Sequence, residues 1–317
     1  MDNNSTVSPP DNFNNLCSLS DVPRNRNSFF SVVSLSISVF IAFLSPVAVV
    51  GNVLVIAAIW RNPSLRTPSY ILLCGLAFTD LFTGLVTQPF YVAFEVICAQ
   101  KTEGKDHSAF LNYAINISRG CGTYFCPFTA ILITLMSIER WLHMTRRSLL
   151  TVRRSYYIVA LVSLLLIPQM VVRSAGFELT SDLILFIIFL FCIIATSFAY
   201  FKVFRVIRHQ QQQVNAHESA QNFGRPAIDL TKYKKTVLTI LYILGIFYIG
   251  YLPFLFIQGI SFAFHNVGIV LEMAFMMSLL FLFLSSSINP LMYMWRMTDI
   301  RNGVKLLLKN STSLQAN

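Results

Sequence analysis

From Gly120 to Ile138 the chain runs nineteen residues without an Asp, Glu, Lys, Arg or His, and then ends abruptly in Glu139, Arg140 and Trp141. A helix needs roughly 20 apolar residues to cross a bilayer, so this stretch predicts a transmembrane helix. The charged pair adds little by itself, because charges at helix ends usually mark the membrane–water boundary. Six comparable stretches accompany it, and in chain order the seven run about Val32 to Trp60, Tyr70 to Phe94, Leu111 to Ile138, Tyr157 to Val172, Leu183 to Phe201, Val237 to Phe264 and Val267 to Trp295. In lipid a segment must satisfy its own backbone polar groups, which confines such a chain to helices. The predicted fold is an all-α membrane protein, a seven-transmembrane helix bundle. Composition agrees: 55% of residues are hydrophobic and 12% charged, a balance that a soluble domain would not keep dissolved.

An odd number of spans puts the termini on opposite sides. With the N-terminus outside, the inner loops and tail hold all of the 24 Lys and Arg except Arg24, Arg26, Lys101, Lys105, Arg119 and Arg173. The positive-inside rule therefore predicts an external N-terminus and a cytoplasmic C-terminus. The net charge of +10 is mostly this asymmetry and gives no reason to invoke nucleic acid. Residues 1–30 read as an extracellular tail, 31–295 as the bundle and 296–317 as a cytoplasmic amphipathic helix with a short tail. Asn3 and Asn4 open overlapping Asn-X-Ser/Thr acceptors, suited to glycosylation. No basic start followed by a short apolar core appears, so the first span is expected to direct insertion.

Polar residues inside the spans need partners. Asn52 follows Gly51 in the first, Asp80 sits in the second, Thr129 in the third, and Ser285, Ser286 and Asn289 precede Pro290 in the seventh. An acid at mid-membrane costs about 2.5–3.5 kcal/mol on insertion scales, so Asp80 must face the bundle interior. Pro290 removes a helical hydrogen bond and is expected to kink the last span. At about 100° per residue, Gly122, Thr129 and Arg140 share one stripe of the third helix, which links its outer mouth to its inner end.

Gly51-Asn52, Leu76-Ala77-Phe78-Thr79-Asp80, Glu139-Arg140-Trp141, Phe247 with Pro253, and Asn289-Pro290-Leu291-Met292-Tyr293 fall in order on helices one, two, three, six and seven. In this the chain resembles the rhodopsin-like G-protein-coupled receptors from about Val32 to Lys309. The resemblance implies a multi-pass protein of the plasma membrane that binds an extracellular ligand and activates a heterotrimeric G protein. It implies that Arg140 receives the G-protein tail while Tyr200 and Tyr293 close on it. It also implies a switch made with Glu139, Trp141, Phe247, Tyr251, Pro253, Asn289 and Pro290. A pocket for water and an allosteric sodium ion would be framed by Asn52, Asp80, Thr129, Ser285, Ser286 and Asn289.

The sequence also departs from that family's pattern. The cysteine common at the outer end of helix three is replaced by Ile115, and the loop from Arg173 to Asp182 has none. A bond between Cys17 and Cys98, two free thiols, or Cys121 as an alternative partner all remain open, since spacing does not choose among them. Cys74, Cys126 and Cys192 lie in apolar runs without metal-ligand spacing, so no metal site is expected. Helix four lacks its usual tryptophan, helix five has Cys192 in place of proline, and the Cys-Trp-X-Pro of helix six reads Gly250-Tyr251-Leu252-Pro253. The missing disulfide, the missing helix-five proline and the very short second outer loop are similar to the melanocortin, cannabinoid and lysophospholipid receptor group. The acid that many family members carry in helix six to pair with the motif arginine is replaced by Tyr233, so ligand-free activity is expected.

Between helices five and six, His209 to Asp229 is glutamine-rich and reads as a mobile internal loop, flanked by Lys and Arg suited to anionic lipid headgroups. After helix seven, Met297, Ile300, Val304, Leu307 and Leu308 share one helical face, as in a helix on the inner membrane surface.

Retinal attachment needs a lysine in helix seven, and Val267 to Trp295 contains none. A cationic amine ligand would call for an acid on the inward stripe of helix three, where Gly122 stands. The alternative function, a transporter or channel without G-protein coupling, would more often show repeated halves or several buried charges. No nucleophile with a base appears, so no enzyme is expected. Ligand-binding candidates are Arg119 and Arg173, Glu95 and Glu272 at the outer ends of helices two and seven, and Gly122, Phe125, Tyr251 and Phe254. Arg119, about 60° off the inward stripe, suggests an acidic amphipathic ligand, a lipid or a carboxylate-bearing peptide. The competing reading is a set of rim charges that pair with one another.

Overall fold

The computed structural model describes residues 28–100, 108–145, 150–218, 230–263 and 268–315. Helix α1 spans Ser28–Arg61, and the second span is built from α2, Pro68–Phe82, and α3, Gln88–Gln100, joined without a break by a π-helical turn at Thr83–Thr87. Then come α4, Ser108–Met144, α5, Val152–Ser174, α6, Glu178–Glu218, α7, Leu230–Ala263, α8, Ile269–Arg296, and α9, Thr298–Gln315. Among the described residues, seven helices are long and apolar enough to cross a membrane, and no strand occurs.

Local chemistry sets the boundaries. Thr151 caps α5 by accepting the backbone N–H of Arg154 at 3.3 Å, and Pro68 stands in the first turn of α2, where its missing N–H costs nothing. Gly176, at φ 87°, turns the chain from α5 into α6 within three residues, so the connection between them is very short.

The second and third spans form the centre: 56% and 50% of their apolar windows are buried, against 17% in the fourth. Exposed Phe43, Leu165, Phe191 and Phe256 belong to the outward, lipid-facing surface. Gly51 lets α1 and α8 meet closely, since a Cβ there would fall 2.6 Å from Pro290 Cγ.

Two expectations need correction. Helix α6 runs on to Glu218, well into the stretch read as a loop from His209 to Asp229, because glutamine is a good helix former and no Gly or Pro interrupts the run before Gly224. Residues 219–229 lie outside the described ones. In α9, Ile300 and Val304 are buried within the protein, and Gly303 comes so close to α1 that a Cβ would stand 3.2 Å from Ala58 Cβ. Part of the apolar face assigned to the membrane surface is therefore spent on the inner end of α1.

Cys98 is disulfide-bonded, and Cys74, Cys121, Cys126 and Cys192 are free. Cys17, its candidate partner, and the acceptors Asn3 and Asn4 lie outside the described residues.

Candidate functional site

Three levels of the bundle hold polar or functional groups. At mid-depth, Asp80 is fully buried and its Oδ2 accepts a 2.8 Å hydrogen bond from Asn289 Nδ2, which joins α2 to α8 just before the Pro290 kink. Its other oxygen, Oδ1, has no hydrogen-bond partner. Asn52 donates to the carbonyls of Ala48 at 2.8 Å and Ser286 at 3.3 Å, while its own Oδ1 is unpartnered. The Thr129 hydroxyl meets Thr79 at 2.7 Å, and Ser285 donates to the Leu282 carbonyl. This cluster thus contains unpaired acceptor oxygens and no Lys or Arg, an arrangement able to receive water or a small cation.

Above it lies a cavity of about 640 Å³, at the end of the bundle where α5 turns into α6. The α4 wall presents Ile115, Ser118, Arg119, Gly122, Thr123 and Cys126. Across from it stand Glu178, Asp182 and Phe189 of α6, Phe254 and Gln258 of α7, and Glu272 and Phe275 of α8. Arg173 donates to Asp182 Oδ1 at 2.6 Å, and Arg119 lies 3.9 Å from Glu178, whose side chain is 61% exposed. The lower wall is aromatic. Phe254 packs edge-on against Phe189 with ring centres 5.7 Å apart, Phe189 meets Tyr251 at 5.3 Å, and Tyr251 meets Phe247 at 4.8 Å. The Tyr251 hydroxyl donates to the Cys126 carbonyl at 3.3 Å, which ties α7 to α4 beneath the cavity. A run of touching rings therefore leads from the cavity wall into the core beside Pro253.

At the inner end, Glu139 is buried and accepts a 2.7 Å hydrogen bond from Ser69 in the first turn of α2. Arg140, partly exposed, makes no ion pair among the described residues. Tyr200 packs with Trp141 against Val203 and Ile207 of α6, and Trp141 meets Phe198 edge-on at 5.9 Å. Tyr293 is buried at the inner end of α8, and Tyr70 donates to Asp299 of α9 at 3.0 Å.

Residues 51–174 match the family model for the seven-transmembrane receptors of the rhodopsin family. The chain is 25% identical to melanocortin receptor 3 of Rattus norvegicus, over 96% of this chain and 97% of that one. It is 24% identical to the human histamine H2 receptor, over 89% of this chain and 84% of that protein. A match to the Cavia porcellus histamine H2 receptor is local, 28% identical over 37% of this chain and 30% of that protein. Over residues 51–174 the chain is similar to the receptors of the rhodopsin family. It is a G-protein-coupled receptor embedded in a membrane by seven spans, with a G protein and an extracellular ligand as partners, and not an enzyme.

The structure brings together five of the eight residues expected at a ligand site: Arg119, Gly122, Arg173, Phe254 and Glu272 line the cavity. Three do not. Phe125 faces α2, stacked on Phe82 at 5.7 Å, because the cavity face of α4 centres on Ile115, Arg119, Gly122 and Cys126. Tyr251 lies one layer below, joined to the cavity through Phe189. Glu95 is fully buried and accepts a short hydrogen bond from Ser34 of α1. The π turn explains that last displacement. One extra residue in the second span rotates everything beyond Thr87 by about 100°, which carries Glu95 away from the centre and towards α1.

The sequence reading also missed cavity residues on α6. Glu178, Asp182, Leu185 and Phe189 recur at helical spacing on one face, a signal present in the sequence but unassigned while the inward face of that helix was unknown.

Proposed function

We propose that this receptor sits in the plasma membrane with its N-terminus outside, holds an amphipathic ligand bearing an anionic group in the outer cavity, and transmits occupancy to Arg140. The excess of Lys and Arg on one side supports the orientation. The ligand reading is carried by Arg119, a cation on the wall of a cavity whose lower side is aromatic, 3.9 Å from the exposed Glu178. An exposed ion pair is worth only ~0–1 kcal/mol, so an anionic ligand group can take its place. Arg173, bonded to Asp182 at 2.6 Å, is the less available cation. Phe189, Phe254 and Phe275 would cover the apolar part. A lipid with an acidic headgroup and a peptide with a carboxylate both meet this description.

For transmission, the ligand presses on Phe189 and Phe254, Tyr251 and Phe247 move with them, and α7 leaves Arg140 open to the G protein. An agonist must bind the active arrangement more tightly than the resting one, since equal affinity shifts nothing. The polar cluster at mid-depth would hold a sodium ion, for which the unpartnered Asp80 Oδ1 is the natural anionic ligand. A bound cation would offset the burial of that carboxylate.

The experiment is a screen of acidic lipids and acidic peptides with G-protein activation as readout, repeated on Arg119→Ala with any agonist found. Losing a charge-assisted contact of ~1.5–3 kcal/mol raises the half-maximal concentration about ten- to a hundredfold at equal surface expression. An unchanged dose–response curve would remove Arg119 from the site.

A further inference from the structure

Several buried hydroxyls in this bundle share one habit that Thr87 does not follow. Thr79, Thr83, Thr123, Thr134 and Ser137 each donate to a backbone carbonyl three or four residues earlier. Thr87 ends the π turn, whose wider ring gives the Thr83 carbonyl to the N–H of Gln88. The Thr87 hydroxyl is 2% exposed, lines the cavity and has no hydrogen-bond partner among the described residues. Its own carbonyl is occupied by Ser118 Oγ at 3.2 Å. The adjoining Gln88 is fully buried, reaches the Phe283 carbonyl with its amide at 3.4 Å and leaves its Oε1 without a partner. Facing Thr87 is Gly122, where an added Cβ would stand 3.9 Å from Thr87 Cγ2, so the absent side chain keeps this end of the cavity open. The charged groups of the cavity belong to Arg119, Arg173, Glu178, Asp182 and Glu272; Thr87, Ser118 and Gly122 are neutral.

We propose that Thr87 forms a neutral subsite that takes a ligand group able both to donate and to accept a hydrogen bond, a primary carboxamide or a hydroxyl. This rests on the reading of the cavity as the ligand site and adds a second determinant to it. The ligand carries its charge at one end and a neutral hydrogen-bonding group at the other. A buried polar side chain left unsatisfied in the free protein lowers stability, and binding sites keep such groups because the ligand satisfies them.

The test uses benzamide as the probe, with purified full-length receptor in lipid nanodiscs and saturation-transfer NMR as readout, so it is independent of any signalling. Benzamide binds wild type and Thr87→Ser comparably, binds Thr87→Val about two- to tenfold more weakly, and fails to bind Gly122→Val, whose methyl groups occupy the space before Thr87. N,N-dimethylbenzamide, which accepts a hydrogen bond but cannot donate one, loses less affinity on Thr87→Val than benzamide does. The ligand-free unfolding temperature of Thr87→Val equals or exceeds that of wild type, since an unsatisfied group has been removed. Equal benzamide affinity in wild type and Thr87→Val, no binding to wild type, or a lowered unfolding temperature of Thr87→Val would each overturn the subsite. An inactive receptor that still shows this benzamide pattern would instead count against the G-protein reading alone.

Discussion

The two ends of the bundle treat their arginines in opposite ways. At the outer end, Arg173 meets Asp182 at 2.6 Å and Arg119 lies 3.9 Å from Glu178, so each cation has a carboxylate facing it across the cavity wall. At the inner end, Arg140 follows Glu139 directly, yet that carboxylate is taken by Ser69 and Arg140 has no ion-pair partner among the described residues. Both outer cations are therefore paired, while the inner one has no ion-pair partner among the described residues.

Removing the inner cation has the largest expected effect. Arg140→Ala lowers G-protein activation at least tenfold in cells while surface expression stays near wild type. Undiminished activation would show that the free guanidinium is not the coupling group.

Asp80→Asn comes next. If sodium pairs with the orphaned Oδ1, a sodium concentration some five times its Kd stabilises the wild-type receptor by about 1 kcal/mol, read as a rise in unfolding temperature against potassium as control. In Asp80→Asn the rise disappears; an equal rise in both proteins would leave Asp80 without an ion.

Arg173→Ala tests the outer restraint. Its pair with Asp182 is partly exposed, 15% and 29% at the two side chains, so the loss is at most about 1 kcal/mol of stability. A double-mutant cycle with Asp182→Ala isolates that coupling, and a zero coupling would mean the pair merely coexists at the cavity rim.

The sequence disclosed these two ends unequally. Seven spans, the short loop at Gly176 and the meeting of Asp80 with Asn289 were all legible, because long uncharged runs and a lone buried acid leave few alternatives. The close contact of Gly51 with Pro290 gives a steric reason for that glycine. Side-chain direction was harder to read. Glu95 depended on a π turn at Thr83–Thr87, where Gly84 approaches α1 so closely that a Cβ would lie 2.8 Å from Ala48 Cβ; such a turn has no periodic signature in sequence. Phe125 depended on a rotation of α4 smaller than one residue's turn, which a stripe drawn through Arg140 does not resolve. Ser69 was invisible because a serine at a helix start reads as an end signal, and its bond to Glu139 is a contact between residues far apart in the chain.

Ser69 therefore carries the most direct test of the difference between the two ends. Basal guanine-nucleotide exchange is measured with wild type and Ser69→Ala at equal receptor density, in the same vesicles, with purified G protein and no ligand. With its serine gone, Glu139 turns to the neighbouring Arg140, and basal exchange falls about two- to threefold, the equivalent of ~0.5 kcal/mol. Wild-type exchange no higher than receptor-free vesicles, or Ser69→Ala exchange equal to or above wild type, would contradict a free Arg140 at the inner end.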